Sequence, residues 1–352
     1  MGKKTLHNGI LKKNKMVLYF IAFFGVISTY ISWRAMFGSN IYTKSGKDFE
    51  YFYVPTGADE KTVETLLIKQ FNINDPLFFK FAYGLKAKVS KILPGKYKIS
   101  NGMSNKDLVK QLRPGNRLQV KLTLKFFRKK EDIAAYVATQ IEAKESDLLT
   151  IFNSNDSLIS YGFNTYDVIS MFTPNTYFFN WNTSASDFVD RMYKEYLDFW
   201  SQERILKAKN QGLTPVQAIT LASIVDRETN YNPEKPTIAG VYLNRLRDSM
   251  PLQADPTIVY ALNDYTIKRL RKGHLTVQSP YNTYVNIGLP PGPICTPAVS
   301  SIDAVLNAKK HAYMFFCAKE DFSGAHNFAV TFNEHLNNAR KFQKAMNEHQ
   351  IE

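Results

Sequence analysis

Residues 16–33 carry no charged side chain and are mostly apolar, so this stretch must either lie in lipid or be enclosed by protein. As a helix it would be about 27 Å long, enough to cross the hydrocarbon core of a bilayer with little tilt. It reads as a single transmembrane helix. Lys3, Lys4, Lys12, Lys13 and Lys15 precede it, against Arg34, Lys44 and Lys47 after it. That bias places the N-terminus in the cytoplasm and the bulk of the chain outside. Tyr30 and Trp33 fall at the expected outer interface. The rival reading, a cleaved signal peptide, fits poorly, because the apolar run is long and Trp33-Arg34 stands where a small-x-small site would be needed.

At 352 residues, with 44% hydrophobic and 14% aromatic content, the chain can bury a sizeable core and holds more than one domain. Its net charge of +14 suggests an anionic partner: nucleic acid, a membrane surface or an anionic cell wall. The basic residues are spread along the chain with no zinc-finger or RNP-type motif, which argues against nucleic acid. The densest cluster beyond the N-terminus, Lys125 to Lys130, reads as a solvated face. Two cysteines, Cys295 and Cys317, fit neither a disulfide scaffold nor a zinc site; they are either paired or free thiols. The six histidines lack metal-ligand spacing, so no metal or other cofactor is expected.

The strongest chemical signal is Glu228. Thr214 as N-cap, Pro215 at the first helical position, and the apolar residues Val216, Ala218, Ile219, Leu221, Ala222, Ile224 and Val225 predict a helix that Asn230 and Pro233 end. Ala218, Leu221, Val225 and Glu228 share one face, whereas Asp226 lies about 200° around the axis from Glu228, so the two acids do not act as a pair. Desolvation and the negative end of the helix dipole both raise the pKa of Glu228. A general acid working near neutral pH needs that. The competing arrangement is an ordinary helix-end residue in a salt bridge with Arg227, Arg245 or Arg247.

Beyond Glu228 the chain runs through Val241-Tyr242-Leu243-Asn244-Arg245-Leu246, Met250-Pro251-Leu252-Gln253-Ala254-Asp255-Pro256-Thr257, Ser279-Pro280-Tyr281-Asn282-Thr283-Tyr284 and Gly288-Leu289-Pro290-Pro291-Gly292-Pro293-Ile294, to Thr296-Pro297. This order and spacing resembles the MltG (YceG-like) family of endolytic murein transglycosylases, membrane-anchored enzymes that cut peptidoglycan glycan strands. The resemblance runs from about Phe49 to about Phe342. The family's catalytic acid matches Glu228, the second acid of Asp226-Arg227-Glu228; Asp226 departs from the commoner Glu. Where many relatives carry Glu-Gly before the next helix, this chain has Phe127-Arg128, which leaves the role of that turn open.

The expected fold is α+β: a single N-terminal transmembrane helix, a LysM-like βααβ module and a helix-rich α+β catalytic domain. The expected boundaries are a basic cytoplasmic tail at 1–15, the membrane helix at 16–33, a linker at 34–47, the LysM-like domain at 48–117, a connecting part at 118–200 and the catalytic domain at 201–347. In the LysM-like part, 50–55 reads as a strand, 58–71 and 76–84 as helices, 93–99 as a strand with its turn, and Ser104 as the cap of a helix through Leu112. Such modules often bind glycan; a spacer that merely packs is the alternative. Farther on, 118–127 reads as a strand and 130–141 as a helix. Phe172-Thr173-Pro174-Asn175-Thr176-Tyr177, with Trp181, matches a family segment near the substrate groove, where aromatics either stack on sugars or form core. Asp255 and Ser300 are expected to open helices, 313–318 and 327–330 to be strands, and Thr331 with Glu334 to cap the last helix.

The resemblance implies that Glu228 protonates the bond between N-acetylmuramic acid and N-acetylglucosamine, then assists attack by the sugar's own C6 hydroxyl to leave a 1,6-anhydro end. Gln253, Asn282, Thr283 and Tyr284 match family positions and carry groups that could orient acetamido sugars; loop-fixing hydrogen bonds are their alternative role. Asp255 could contribute in the same cleft or serve as a second carboxylate, although its place before Pro256 argues for helix capping. Gly288 to Pro293 is expected to shape the groove wall, and His326 to lie near it. The implied setting is the cell (inner) membrane with an extracytoplasmic catalytic domain. The implied partners are peptidoglycan strands and wall-synthesis enzymes such as penicillin-binding proteins. A muramidase-type hydrolase and a noncatalytic wall-binding anchor remain as other classes.

Overall fold

The computed structural model describes residues 2–87, 92–267 and 269–348, and the side chains of Lys3, Lys4, Lys12 and Lys13 lie outside those described. The fold is mixed α+β, divided into two compact units: residues 1–120 with 179–182, and residues 121–178 with 183–352.

The first unit begins with helix α1 (Gly2–Phe37). Its stretch Lys15–Phe37 is the one described helix long and apolar enough to cross a membrane. The helix therefore continues past Trp33. After it come β1 (Ser39–Thr43), β2 (Phe49–Val54), α2 (Glu60–Gln70), β3 (Phe71–Ile73), α3 (Pro76–Ala87), β4 (Gly95–Ser100), β5 (Met103–Ser104) and α4 (Asn105–Gln111). β2 and β4 pair antiparallel from Phe49 opposite Ser100 to Val54 opposite Gly95. Alternation along β2 turns Phe52 and Val54 into the core, with Val63, Leu67, Phe71, Tyr97, Ile99 and Leu108, and leaves Phe49, Tyr51 and Tyr53 outside. Asp59 and Ser104 cap α2 and α4, each accepting a backbone N–H with its side chain.

The expected linker at 34–47 is not a linker throughout. β1 is the central strand of a sheet ordered β3-β1-β5, with Ile41 almost fully buried. Its polar residues look like linker composition but are consumed by internal hydrogen bonds. Asn40 Nδ2 donates to Asn105 Oδ1 at 2.9 Å, Asn40 Oδ1 accepts from the Asp75 amide at 2.6 Å, and Asn105 Nδ2 donates to the Ala35 carbonyl at 2.7 Å. Buried amides satisfied in this way cost little and fix one register. Trp181, in the segment that returns to this unit, meets the Tyr53 ring with centroids 4.9 Å apart.

The chain leaves the first unit within β6 (Gln119–Leu124) and returns to it within β7 (Asn175–Asn180), with α5 (Lys130–Ala138), α6 (Glu145–Phe152) and α7 (Asn155–Leu158) between. There follow α8 (Ala185–Phe199), α9 (Gln202–Asn210), α10 (Pro215–Glu228), α11 (Lys235–Arg247), α12 (Asp255–Leu262), α13 (Val299–Leu306), β8 (Phe315–Ala318), β9 (His326–Ala329) and α14 (Phe332–Glu348).

The second unit is organised around α10, which packs on α9, α11, α12 and α13. Thr214 and Gln217 form its capping box, and every residue from Ala218 to Val225 is buried. An all-round buried helix must hide its hydroxyls. Thr220 Oγ1 donates to the Val216 carbonyl at 2.9 Å, and Ser223 Oγ donates to the Thr220 carbonyl at 2.7 Å while accepting the Ile294 amide at 3.0 Å. On α11, Gly240 lets the segment after α13 approach, since a Cβ there would fall 2.4 Å from the Lys309 carbonyl oxygen. Asn244 Nδ2 then holds the carbonyls of His311 and Tyr313, each at 2.9 Å.

α13 starts one residue before the expected Ser300, with Ala298 as an N-cap that makes no side-chain bond. Ser301 is diverted to a buried contact described below. The hairpin β8–β9 and the Thr331–Glu334 cap of α14 follow the sequence reading. Cys295 is buried and Cys317 partly exposed, both as free thiols, and burial pushes both up.

Candidate active site

α10 ends at Glu228, and the next residue, Thr229, is already extended. From α11, packed against α10, comes Tyr242, whose hydroxyl donates to Glu228 Oε1 at 2.5 Å. Tyr242 is only 2% exposed and packs edge-on against Phe316 of β8. One turn along α11, Arg245 is held by carbonyls: Nε donates to Met314 at 2.7 Å and Nη1 to Leu252 at 2.8 Å. The anticipated salt bridge from Glu228 to Arg227, Arg245 or Arg247 is absent among the described residues; Tyr242 occupies the carboxylate instead.

Glu228 lines a cavity of about 550 Å³ and keeps partial access to it. Burial pushes its carboxyl up to about 7, helped by the negative charge of Asp255, while the Tyr242 hydrogen bond and the Arg245 charge act in the opposite direction. Burial, with the carboxylate alongside, holds the Tyr242 phenol well above its usual range, so it stays a donor.

Asp255 corrects the expectation of a helix cap. Ala254 is the N-cap of α12, Asp255 is the first helical residue, and its carboxylate turns to the Tyr284 hydroxyl rather than to an α12 amide. Pro256 at the second position removes an amide that a capping carboxylate could have used. The carboxylate is thereby free to line the Glu228 cavity.

The other anticipated residues divide. Tyr284, partly exposed, reaches the cavity wall through Asp255. Gln253 is exposed with a left-handed φ of 52°, its amide donating to the Thr283 carbonyl at 3.0 Å and its Oε1 accepting from Arg245 Nη1 at 3.4 Å. Asn282 and Thr283 are sealed inside. Asn282 Nδ2 donates to the carbonyls of Leu275 and Val277, and Thr283 Oγ1 meets the Ala254 amide and Thr257 Oγ1. These two brace the loop behind Gln253 and Asp255 and have no surface to offer a sugar.

Asp226 goes the other way around α10. It accepts Lys235 Nζ at 2.9 Å and Ser301 Oγ at 2.5 Å, and Lys235 also donates to Ser301 Oγ at 2.9 Å. The segment 288–291 lines a separate cavity of about 1300 Å³, not the one at Glu228, although Ile294 does reach the Glu228 cavity. Tyr177 is buried, its hydroxyl donating to the Thr173 carbonyl at 2.7 Å, so it is core. His326 pairs with Glu234 at 2.9 Å.

The YceG-like family model matches residues 52–341. The chain belongs to the YceG-like family. It is 28% identical over 324 residues to the endolytic murein transglycosylase of Bacillus subtilis, covering 87% of this chain and 88% of that protein. It is 25% identical to the endolytic murein transglycosylase of Streptococcus pneumoniae strain D39, covering 86% of this chain but 60% of that longer protein. A crystal structure of a putative YceG-like protein from Listeria monocytogenes superimposes with a TM-score of 0.55 at 26% identity, covering 82% of this chain and 98% of that one.

Several groups at this YceG-like site escaped the sequence reading. Tyr242 and Arg245 stand in a quoted motif, yet nothing local distinguishes an inward tyrosine that meets an acid from one that packs. Arg128, Arg227 and Arg269 line the Glu228 cavity with Phe126, Tyr260 and Tyr265. Arg128 belongs to the cluster read as a solvated face; its guanidinium lies 4.1 Å from the Tyr265 ring centroid.

Proposed function

We propose that this chain is an endolytic lytic transglycosylase that cleaves the bond between N-acetylmuramic acid and N-acetylglucosamine in nascent peptidoglycan, leaving 1,6-anhydro-N-acetylmuramic acid ends. The observation that carries this reading is the Glu228 carboxyl, with a pKa raised to about 7 inside a cavity and hydrogen-bonded by a buried tyrosine. Membership of the family and the names of its relatives support the same reaction class.

A glycosidic oxygen leaves poorly unless protonated, and a carboxyl neutral for part of the time at pH 7 supplies the proton. Glu228 donates it as the C1–O bond breaks, and the freed sugar hydroxyl carries it away. The Glu228 carboxylate then takes the proton of the C6 hydroxyl as that oxygen bonds to C1, which returns the acid to its starting form and consumes no water. Tyr242 fixes the carboxyl throughout, so protonated and ionised forms occupy one position. Gln253, Asp255 and Tyr284 are the anticipated sugar-contacting groups that keep some exposure.

On this reading α1 anchors the chain in the cell membrane with its N-terminus cytoplasmic and the second unit extracytoplasmic. Residues 48–117 serve as the LysM-like module, and cleavage sets glycan strand length beside wall-synthesis enzymes such as penicillin-binding proteins. A second reading, hydrolysis by a muramidase, gains support from Asp255, a second carboxylate in the same cavity. Mass spectrometry of muropeptides released by purified wild type and by Glu228→Gln separates them. Anhydro ends from the wild type alone are expected; reducing ends would favour hydrolysis, and equal activity in both proteins would remove Glu228 from the reaction.

A further inference from the structure

We propose that Arg128 and Arg227 form a carboxylate-binding subsite in the wall of the Glu228 cavity, which reads an anionic group on the glycan; this rests on the glycan-cleaving role above. Both guanidiniums stack on one ring, Phe126, with Cζ of Arg128 at 5.6 Å and Cζ of Arg227 at 5.2 Å from its centroid. Arg128 is clasped on its other aromatic contact, Tyr265, at 4.1 Å. Stacking fixes a planar guanidinium without using its N–H donors. Among the described residues neither guanidinium is in an ion pair or donates a hydrogen bond, so both forks are available.

The carboxylates already in this cavity form no ion pair with them. Tyr242 binds Glu228, and Tyr284 binds Asp255. Arg269 adds a further positive charge to the same lining. Like charges gathered around one cavity repel, and an incoming anion relieves that repulsion while filling two forks whose geometry matches a carboxylate. A neutral sugar would leave that repulsion in place. A wall glycan carries carboxylates in two places: on the lactyl group of muramic acid when the peptide is absent, and along the peptide stem when it is present.

The test uses the full-length Glu228→Gln protein in detergent, so that ligand is bound and not consumed. Its affinity is measured for a stem-free glycan with free lactyl carboxylates, the same glycan with those groups converted to methyl amides, and a stem-bearing fragment with and without the same conversion. At least one carboxylate ligand should bind about tenfold tighter than its neutral counterpart, and which one does identifies the source of the anion. Arg128→Gln with Arg227→Gln should erase that advantage and leave the neutral affinities unchanged, whereas Lys310→Gln, an exposed lysine elsewhere, should not. Arg128→Lys, keeping charge without the fork, should retain part of it. Equal weakening of charged and neutral ligands, or no change in either, overturns the subsite alone. Failure of every glycan to bind overturns the glycan-cleaving role with it.

Discussion

Two carboxylates stand two residues apart on the last turn of α10 and live in opposite surroundings. Asp226 is given a lysine ammonium and a serine hydroxyl within 2.9 Å, so its charge is compensated and internal. Glu228 receives only a phenol, and its nearest influences of either sign partly cancel. Helix geometry sends one acid toward α13 and the first residue of α11, and the other toward Tyr242 of α11 and toward α12, and that rotation separates a structural charge from a chemical one. Acid near acid is therefore no sign of a pair; what each side chain meets decides its use.

The sharpest way to break the contrast is to neutralise Glu228 and, separately, to take the cation away from Asp226. Glu228→Gln should lower glycan cleavage by about a thousandfold or more, measured as muropeptide release, while the protein remains folded. Lys235→Met should do the reverse. It leaves the half-buried Asp226 carboxylate without its cation and should cost about 3 kcal/mol of stability in denaturant unfolding, with the pH dependence of the surviving activity unchanged. Loss of cleavage in Lys235→Met at full stability would mean that Asp226 belongs to the chemistry after all.

The same contrast explains what the sequence could reveal. α10 was legible because its signals are local: an N-cap threonine, a proline at the first turn and an apolar run, with 100° per residue separating Asp226 from Glu228. β2, β4 and the helices α2 to α4 of the first unit were legible for the same reason. Tertiary contact decided the rest. Ser39 and Asn40 look like linker until Asn105 and Asp75 are brought against them. Asp255 looks like a cap until Tyr284 arrives from 29 residues away. Asn282 and Thr283 carry groups that suit a sugar, but the fold spends every one of them on backbone and on Thr257. Arg128 and Arg227 gain meaning only because both are brought against Phe126.

Tyr242→Phe probes the partner that Glu228 has in place of a cation. The phenol holds the carboxyl below the pKa that burial alone would impose, so removing its hydroxyl should raise that pKa above about 7. Because the protonated acid starts the reaction, the basic limb of the pH–rate profile should move to higher pH. The maximal rate should fall roughly tenfold as the carboxyl loses its fixed position. A falling rate with an unmoved limb would reduce Tyr242 to a packing residue.

The smallest effect is also the most specific, because its sign is opposite to that of an ordinary helix-end carboxylate. Glu228 binds its proton more tightly in the folded chain than in the unfolded one, where it titrates near 4.5. The folded state therefore holds more protons between that value and about 7, and stability must fall as pH rises through this window. Above it the wild type carries a desolvated charge that Glu228→Gln lacks, although glutamine can still accept from Tyr242. Glu228→Gln should thus be more stable than wild type by about 1–2 kcal/mol at pH 8, allowing for the partial access of the group to solvent, and no more stable at pH 4. Chemical denaturation at the two pH values measures this. A variant less stable at pH 8 would show that the ionised carboxylate is an ordinary stabilising partner, and the contrast with Asp226 would collapse.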